Sequence, residues 1–462
     1  MSTLRTYLGS KLVALGANFE QPYQRPANYP SITEPTASED KCVFLARLFK
    51  PFGTGNSARN SISLRLRSGS NDNFTVTGSD GTSVTVTHNV ITELVFDYDN
   101  ATSYAIDVNS AASGTDYYIE DLGNTSQADW NTLAGTSGVT YAVGSFFQAA
   151  VAGSTLTDST GTVSIYNFRH VVITIAGTNW TQATRQNPNS NLAIEEAYLS
   201  MPNYASANIN NMSLFTAHIP EDYFKYYKIV STFSSITDAT NFLSGSHGLI
   251  EFNCPSNFLP NATKLTSFFS SCRSLTKTSV FDTSSATNFQ NFFSNCYSYP
   301  VIPNFNFSSA TNLQSAFTLM FKLKVVGNLS FPNATNCASM FSSCRALEEV
   351  GDISAPSATT MGSIFQTCTS LKKIGAITAT SCTNFNSAFH SCFTLKSIDS
   401  FSFVSSGSIN FFEAYKNCHA LEVAFVPDSS VSYSNVKQAF QLTNSLTTIE
   451  PKNVTMDISS IT

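Results

Sequence analysis

The chain has 462 residues, only 12% of them charged, and a net charge of −6 at neutral pH. That length holds two or three domains, and a mildly acidic balance without a basic cluster argues against nucleic acid as a partner. No run approaches 18 apolar residues, so no membrane insertion is expected.

Residues 1–18 carry Arg5 and Lys11 but lack a sustained apolar stretch ending in small residues. They read as a short amphipathic helix rather than a secretory signal. Residues 19–41 are polar and hold Pro22, Pro26, Pro30 and Pro35, the composition of an extended arm. Together residues 1–45 form an N-terminal helix and docking arm. From Cys42 the pattern turns to strands. Ser61 to Leu66 alternates, and Phe74 to Val86 reads as strand, Asp80-Gly81 turn and strand. Glu93 to Tyr98 and Val171 to Ile175 supply further strands, so residues 46–200 are expected to be β-sandwich-like. The hairpin resembles the PKD-like sandwich, with Thr77 and Gly78 where that family carries Asp and Trp.

Inside this region, residues 114–164 include Tyr117-Tyr118-Ile119, Leu122-Gly123-Asn124, Trp130-Asn131 and Tyr141 to Ala149. The segment is similar to a small β-rich module recurrent in structural proteins of tailed phages, especially marine ones. Strand patterns on both sides place it as an insertion. Residues 201–253 contain one degraded repeat, Ala239-Thr240-Asn241-Phe242. They are expected to connect the sandwich to a repeat array and to cap it, with Tyr223, Tyr226 and Tyr227 beneath the first repeat.

From residue 254 to 462 a Phe-x-x-Cys-x-x-Leu unit returns every 24 residues. Phe269/Cys272, Phe293/Cys296, Phe341/Cys344, Phe365/Cys368 and Phe389/Cys392 hold the pattern; Met320 replaces the cysteine after Phe317, and Tyr415/Cys418 and Phe440/Thr443 come after slips of 26 and 25 residues. A fixed period means a stacked solenoid, since one unit cannot bury its own apolar face. Apolar residues at i, i+3, i+4 and i+7 predict two helical turns per repeat, with Ala-Thr-Asn ahead of them as an N-cap. Leu-x-x-Ile/Val predicts a strand rung. Tyr299-Pro300 disturbs one rung. These residues resemble the BspA-type leucine-rich repeat, closely so from Ala388 to Ile398. The resemblance implies a multidomain fold: a β-sandwich-like N-terminal region followed by an α/β leucine-rich-repeat solenoid. It is found mostly in surface proteins that bind hosts or partners.

Six cysteines (272, 296, 344, 368, 392 and 418) occupy one position of successive repeats. Stacked about 4.8 Å apart, they read as a reduced, buried ladder, which suggests folding in a cytoplasm. No Cys-x-x-Cys or His partner indicates a metal. No Gly-x-x-x-x-Gly-Lys loop, His-Glu-x-x-His or Gly-x-Ser-x-Gly elbow is present. Glu195-Glu196 and Glu348-Glu349 are sequence neighbours, expected to point apart on a strand. No catalytic, cofactor or metal residue is therefore assigned. His390 and His419 are expected on the solvent side of the repeats.

The rung residues offer the binding candidates: Lys324, Glu348, Glu349, Lys372, Lys373, Lys396 and Glu422. Stacked in register they form either a charge ladder that stabilises the sheet or a stripe that contacts a polar receptor; both can hold. The Asn column (Asn288, Asn312, Asn336, Asn384, Asn410) is expected to satisfy backbone groups. Taken with the phage resemblance, the chain reads as an exposed virion protein of a tailed phage, a tail fibre or receptor-binding adhesin. It would fold in the host cytoplasm, join other virion proteins through its arm as a homo-oligomer, and meet a host-surface glycan or protein. The alternatives are an architectural decoration or baseplate component and a cellular surface adhesin.

Overall fold

In the computed structural model the described residues are 23–27, 29–49, 61–96, 101, 105–156, 159–164, 168–185, 193–204, 206, 224–403, 407–427 and 432–450. The amphipathic helix expected over residues 1–18 lies outside them, as does Tyr223.

Phe74–Gly78 and Ile91–Val95 alternate in burial, one face in and one face out, whereas Ala193–Ser200 is buried throughout. β1 (Lys41–Phe49), β3 (Phe74–Gly78), β4 (Ser83–Val86), β10 (Phe168–Ala176) and β12 (Ala193–Ser200) form one antiparallel sheet in the order β12-β1-β10-β3-β4. β2 (Ser61–Ser68), β5 (Ile91–Val95) and β11 (Trp180–Arg185) form a second, ordered β11-β2-β5. Phe44, Leu64, Phe74, Ile173 and Trp180 fill the space between them. The β3–β4 hairpin closes at Asp80-Gly81, where Gly81 takes φ +89° and the Gly78 N–H donates to the Thr82 carbonyl at 2.8 Å.

Between β5 and β10 sits a module with its own core of Val108, Tyr117, Trp130, Leu133, Phe147 and Val163. Its sheet is ordered β6-β9-β7-β8, from β6 (Ile106–Asp107), β7 (Asp116–Asp121), β8 (Phe146–Gln148) and β9 (Thr162–Ser164). Its helix α1 (Gln127–Ala134) starts with a Ser126/Asp129 capping box and ends at left-handed Gly135.

A β-solenoid of about 9 turns occupies residues 226–450. Its first strands are not a separate sheet. β13 (Tyr226–Ile229) pairs in parallel with β12, and β14 (Glu251–Asn253) and β15 (Lys277–Thr278) add to it in turn. The sandwich sheet thus grows to eight strands and becomes the solenoid wall. One apolar core runs from Cys42 to Phe440. The ladder then stops and restarts as β16 (Val325–Val326), β18 (Glu349–Val350), β20 (Lys373–Thr378) and β21 (Ser397–Ser402), with β17 (Leu329–Ser330) and β19 (Ile353–Ser354) on the same wall. Short pairs β22 (Ser408–Asn410) with β24 (Ser432–Asn435), and β23 (Val423–Phe425) with β25 (Thr448–Glu450), complete it.

The Phe-x-x-Cys segments are buried as expected but are turns, not helix. Leu265, Phe268, Phe269 and Cys272 all face the core. Alternate amides leave the turn: the N–H groups of Ser267, Phe269 and Ser271 donate to Gln290, Phe292 and Ser294 carbonyls of the next rung, while those of Phe268, Ser270 and Cys272 close local bonds three residues back. Two residues per repeat take left-handed φ, Ser267 (54°) and Ser271 (62°) here, and Leu319 (60°) farther on. A continuous α-helix would spend every amide internally and leave none to bind neighbouring rungs. Two four-residue turns give the same apolar spacing as two helical turns.

Candidate functional site

Three columns run along the solenoid, and each arises from the 24-residue register. The first is internal. The rings of Phe341 and Phe365 stack at 5.4 Å and 6°, and Phe317, Phe389, Tyr415 and Phe440 extend the stack; Phe293 joins it at 6.4 Å. Each ladder thiol donates to a carbonyl of the rung before: Cys296 to Phe269 at 3.1 Å, Cys344 to Phe317 at 3.0 Å, Cys368 to Phe341 at 3.1 Å, Cys392 to Phe365 at 3.1 Å and Cys418 to Phe389 at 3.0 Å. All ten cysteines are free. Burial pushes the Cys344 and Cys418 thiols up to about 12, so the thiolate needed for attack or metal binding is disfavoured. Cysteine is small, apolar and able to donate, and Met320 fills the same buried position in one repeat without donating.

The second column is the charged one. Lys324, Glu348, Lys372, Lys396 and Glu422 are stacked by main-chain bonds from each to the residue before, at 2.7 to 3.2 Å. Glu349 and Lys373 are register partners on β18 and β20. The register thus brings all seven candidates onto one wall. Glu348 and Lys372 pair at 2.6 Å, and Lys373 reaches the exposed Asp399 at 3.0 Å, a member that the rung pattern does not single out. Lys396 and Glu422 are exposed and make no ion pair among the described residues. Exposed pairs of this kind stabilise by at most about 1 kcal/mol each.

The third column lies outside the rung pattern, although its period is plain in the sequence: it is the residue four after each repeat Phe. There the Arg273 guanidinium lies over Tyr297 at 5.7 Å, Tyr297 stacks on Phe321 at 4.6 Å and 13°, and Arg345 lies over Phe321 at 5.8 Å. Phe393, 40% exposed, stacks on His419. His419 is exposed and its Nδ1 meets the Leu442 carbonyl at 2.8 Å, while His390 is half-buried beside Gln366 and Asn417. Burial lowers the His390 pKa.

The Asn column does satisfy backbone. The side-chain oxygens of Asn288, Asn312, Asn336, Asn384 and Asn410 each accept the N–H two residues on, at 3.0 to 3.2 Å.

The expectation that Glu195 and Glu196 point apart is corrected. The β1–β12 register shifts between Leu45 and Ala46, leaving Glu195 opposite no residue of β1. This bulge sends both buried carboxylates to the face covered by the arm. Glu195 takes His170, Arg47 and, at 3.3 Å, the Tyr29 hydroxyl; Glu196 takes Arg25 at 2.9 Å and the Tyr23 hydroxyl at 2.7 Å. The Tyr23 N–H also donates to Glu251 at 3.1 Å, and Lys228 pairs with Glu34 at 2.6 Å. The described part of the arm is thus strapped to its own sheet. With two arginines and a histidine on them, the carboxylates form an ionic lock rather than an acid/base pair.

Among the described residues no group of His, Cys, Asp and Glu could hold a metal ion, and no helix is long and apolar enough to cross a membrane. No curated protein matches the chain. A solved leucine-rich repeat protein from Bacteroides ovatus ATCC 8483 is 14% identical, over 56% of this chain and 83% of that one, with a TM-score of 0.30. Residues 263–376 and 335–450, the solenoid repeats, match the family described as "Mycoplasma protein of unknown function, DUF285".

Proposed function

We propose that this is a non-catalytic binding protein, an exposed virion component of a tailed phage that meets a host-surface glycan or protein through its solenoid. The observation that carries the binding reading is the charged wall. Lys324 to Glu422 form one continuous column in which Lys396 and Glu422 keep their charges toward solvent, and the Arg273–Tyr297–Phe321–Arg345 stack, whose last two members stand three residues before Lys324 and Glu348, adds groups suited to polar, ring-bearing ligands. The virion setting is supported by the likeness of residues 114–164 to a phage structural module and by the buried thiols, which suit folding in a cytoplasm before work outside it.

Electron microscopy of purified particles, with antibody against the solenoid, tests this reading. Solenoids projecting from a tail or capsid support it, and Lys372→Ala/Lys396→Ala particles are then expected to adsorb to host cells at least tenfold more slowly. Solenoids buried between other subunits make the protein architectural, and particles that lack the chain sink the virion reading.

A further inference from the structure

We infer that the broken rung of the solenoid is a strand-acceptor site for an extended, uncharged peptide segment of a partner protein. Intact rungs dock through two amides, three residues apart, that reach back to the previous rung. Thr276 donates to Ile250 and Ser279 to Phe252, each at 2.9 Å, and again Glu348 donates to Lys324 at 2.7 Å and Gly351 to Val326 at 2.9 Å. Twenty-four residues after Thr276 and Ser279 stand Pro300 and Pro303. Neither has an N–H, so this rung cannot dock on β15, and the eight-stranded sheet ends there.

The displaced rung then fails its successor too. In the intact wall the Leu329 and Phe331 amides cross to Asp352 and Ser354 at 2.8 Å. One repeat earlier, the Phe305 amide turns back to Pro303 at 2.8 Å instead. By register, the Lys324 and Gly327 amides and the Asn328 and Ser330 carbonyls face the gap, and none has a backbone partner among the described residues. β16 and β17 are therefore open edge strands in the middle of a solenoid.

A cleft of about 480 Å³ lies on that edge, lined by residues 301–308 and 325–332. Its volume falls within the range of ligand sites, roughly 300–1,000 Å³. None of its lining residues is charged, although charges line the wall immediately beyond it, from Lys324 to Glu422. A sugar acid or phosphate would find no countercharge inside. A neutral strand finds backbone donors and acceptors at strand spacing, and apolar Val301, Ile302 and Val325 for its alternate side chains. Open edges are ordinarily hidden because they recruit other chains.

The probe is a library of end-blocked, fluorescein-labelled peptides of about seven residues, alternating Val, Ile or Phe with Thr or Ser, added to the full chain. Fluorescence anisotropy should show saturable binding, and amide exchange at Lys324 and Gly327 should slow at least tenfold on binding. Peptides N-methylated at alternate amides should bind at least tenfold more weakly. The Pro300→Thr/Pro303→Ser variant restores both missing donors, and it should lose binding while keeping its circular dichroism and an equal or higher Tm. Equal binding by the repaired variant, indifference to N-methylation, or no saturable binding by any library member overturns the inference. So does a cleft that takes an apolar dye but no peptide, since it would then be a small-molecule pocket.

Discussion

At the residue scale, the cysteine ladder shows why one side chain recurs. Each thiol is fully buried and donates to a carbonyl of the preceding rung. Removing the donor leaves a small void and one bond fewer, so Cys368→Ala is expected to cost about 1–3 kcal/mol, measured by denaturant unfolding. A loss below about 0.3 kcal/mol would mean that the thiol is a mere filler, well under the usual worth of one hydrogen bond. Leu319 makes the opposite case. It is a half-buried leucine at φ 60°, where neighbouring repeats place Ser or Asn. Glycine removes the Cβ clash of the left-handed region, worth roughly 1–2 kcal/mol, and Leu319→Gly should recover up to about 1 kcal/mol after its entropy and lost contacts. A lower Tm than the parent would show that the Leu319 side chain contributes more than its backbone costs.

At the scale of elements, the strap formed by residues 23–40 is a pH-sensitive joint. Desolvation raises the Glu195 carboxyl, but hydrogen bonds and charge from His170 and Arg47 outweigh it and hold the carboxyl below its usual range. A depressed folded-state pKa contributes stability above the unfolded value, about 4.3 for Glu, and loses it as pH falls through the folded value. Around the carboxyl stand Glu196, Arg25, Tyr23, Tyr29 and Phe168 as well. Limited proteolysis within residues 23–40 should stay slow from about pH 8 to about pH 5 and quicken below about pH 4, with Glu195→Gln cut quickly at every pH. Cleavage that is equally slow in acid and at neutral pH would show that the strap is held by packing alone.

At the scale of the molecule, the sandwich is the solenoid's cap. β12 pairs with β13, Tyr227 is fully buried, and one apolar core crosses the junction. Repeat arrays need such a covered end, because an open parallel edge recruits other chains. A truncated chain of residues 224–462 should therefore self-associate on size-exclusion chromatography and unfold at least about 5 °C below the full chain. A monomeric truncation with unchanged Tm would make the two parts independent.

What the sequence by itself determined is whatever repeats: the 24-residue period, the buried Phe, Cys and Leu positions, and the charged column all come from register, because stacking places equivalent residues one above another. The Phe-x-x-Cys turns carry a helical signature in one dimension, since two four-residue turns bury the same spacing as two helical turns, and only amides crossing to the next rung tell them apart. Strand alternation fails at Glu195 because a bulge opposite Leu45/Ala46 inverts it, and a bulge is set by pairing between strands that lie far apart in the chain. Pro300 and Pro303 are plain in the sequence, yet their consequence depends on lying at both donor positions of one rung. Periodicity is a local property and survives in one dimension. Hydrogen-bond partners are chosen between distant segments, so the turn type, the bulge, the sheet that joins sandwich to solenoid and the open edge were decided only by the tertiary structure.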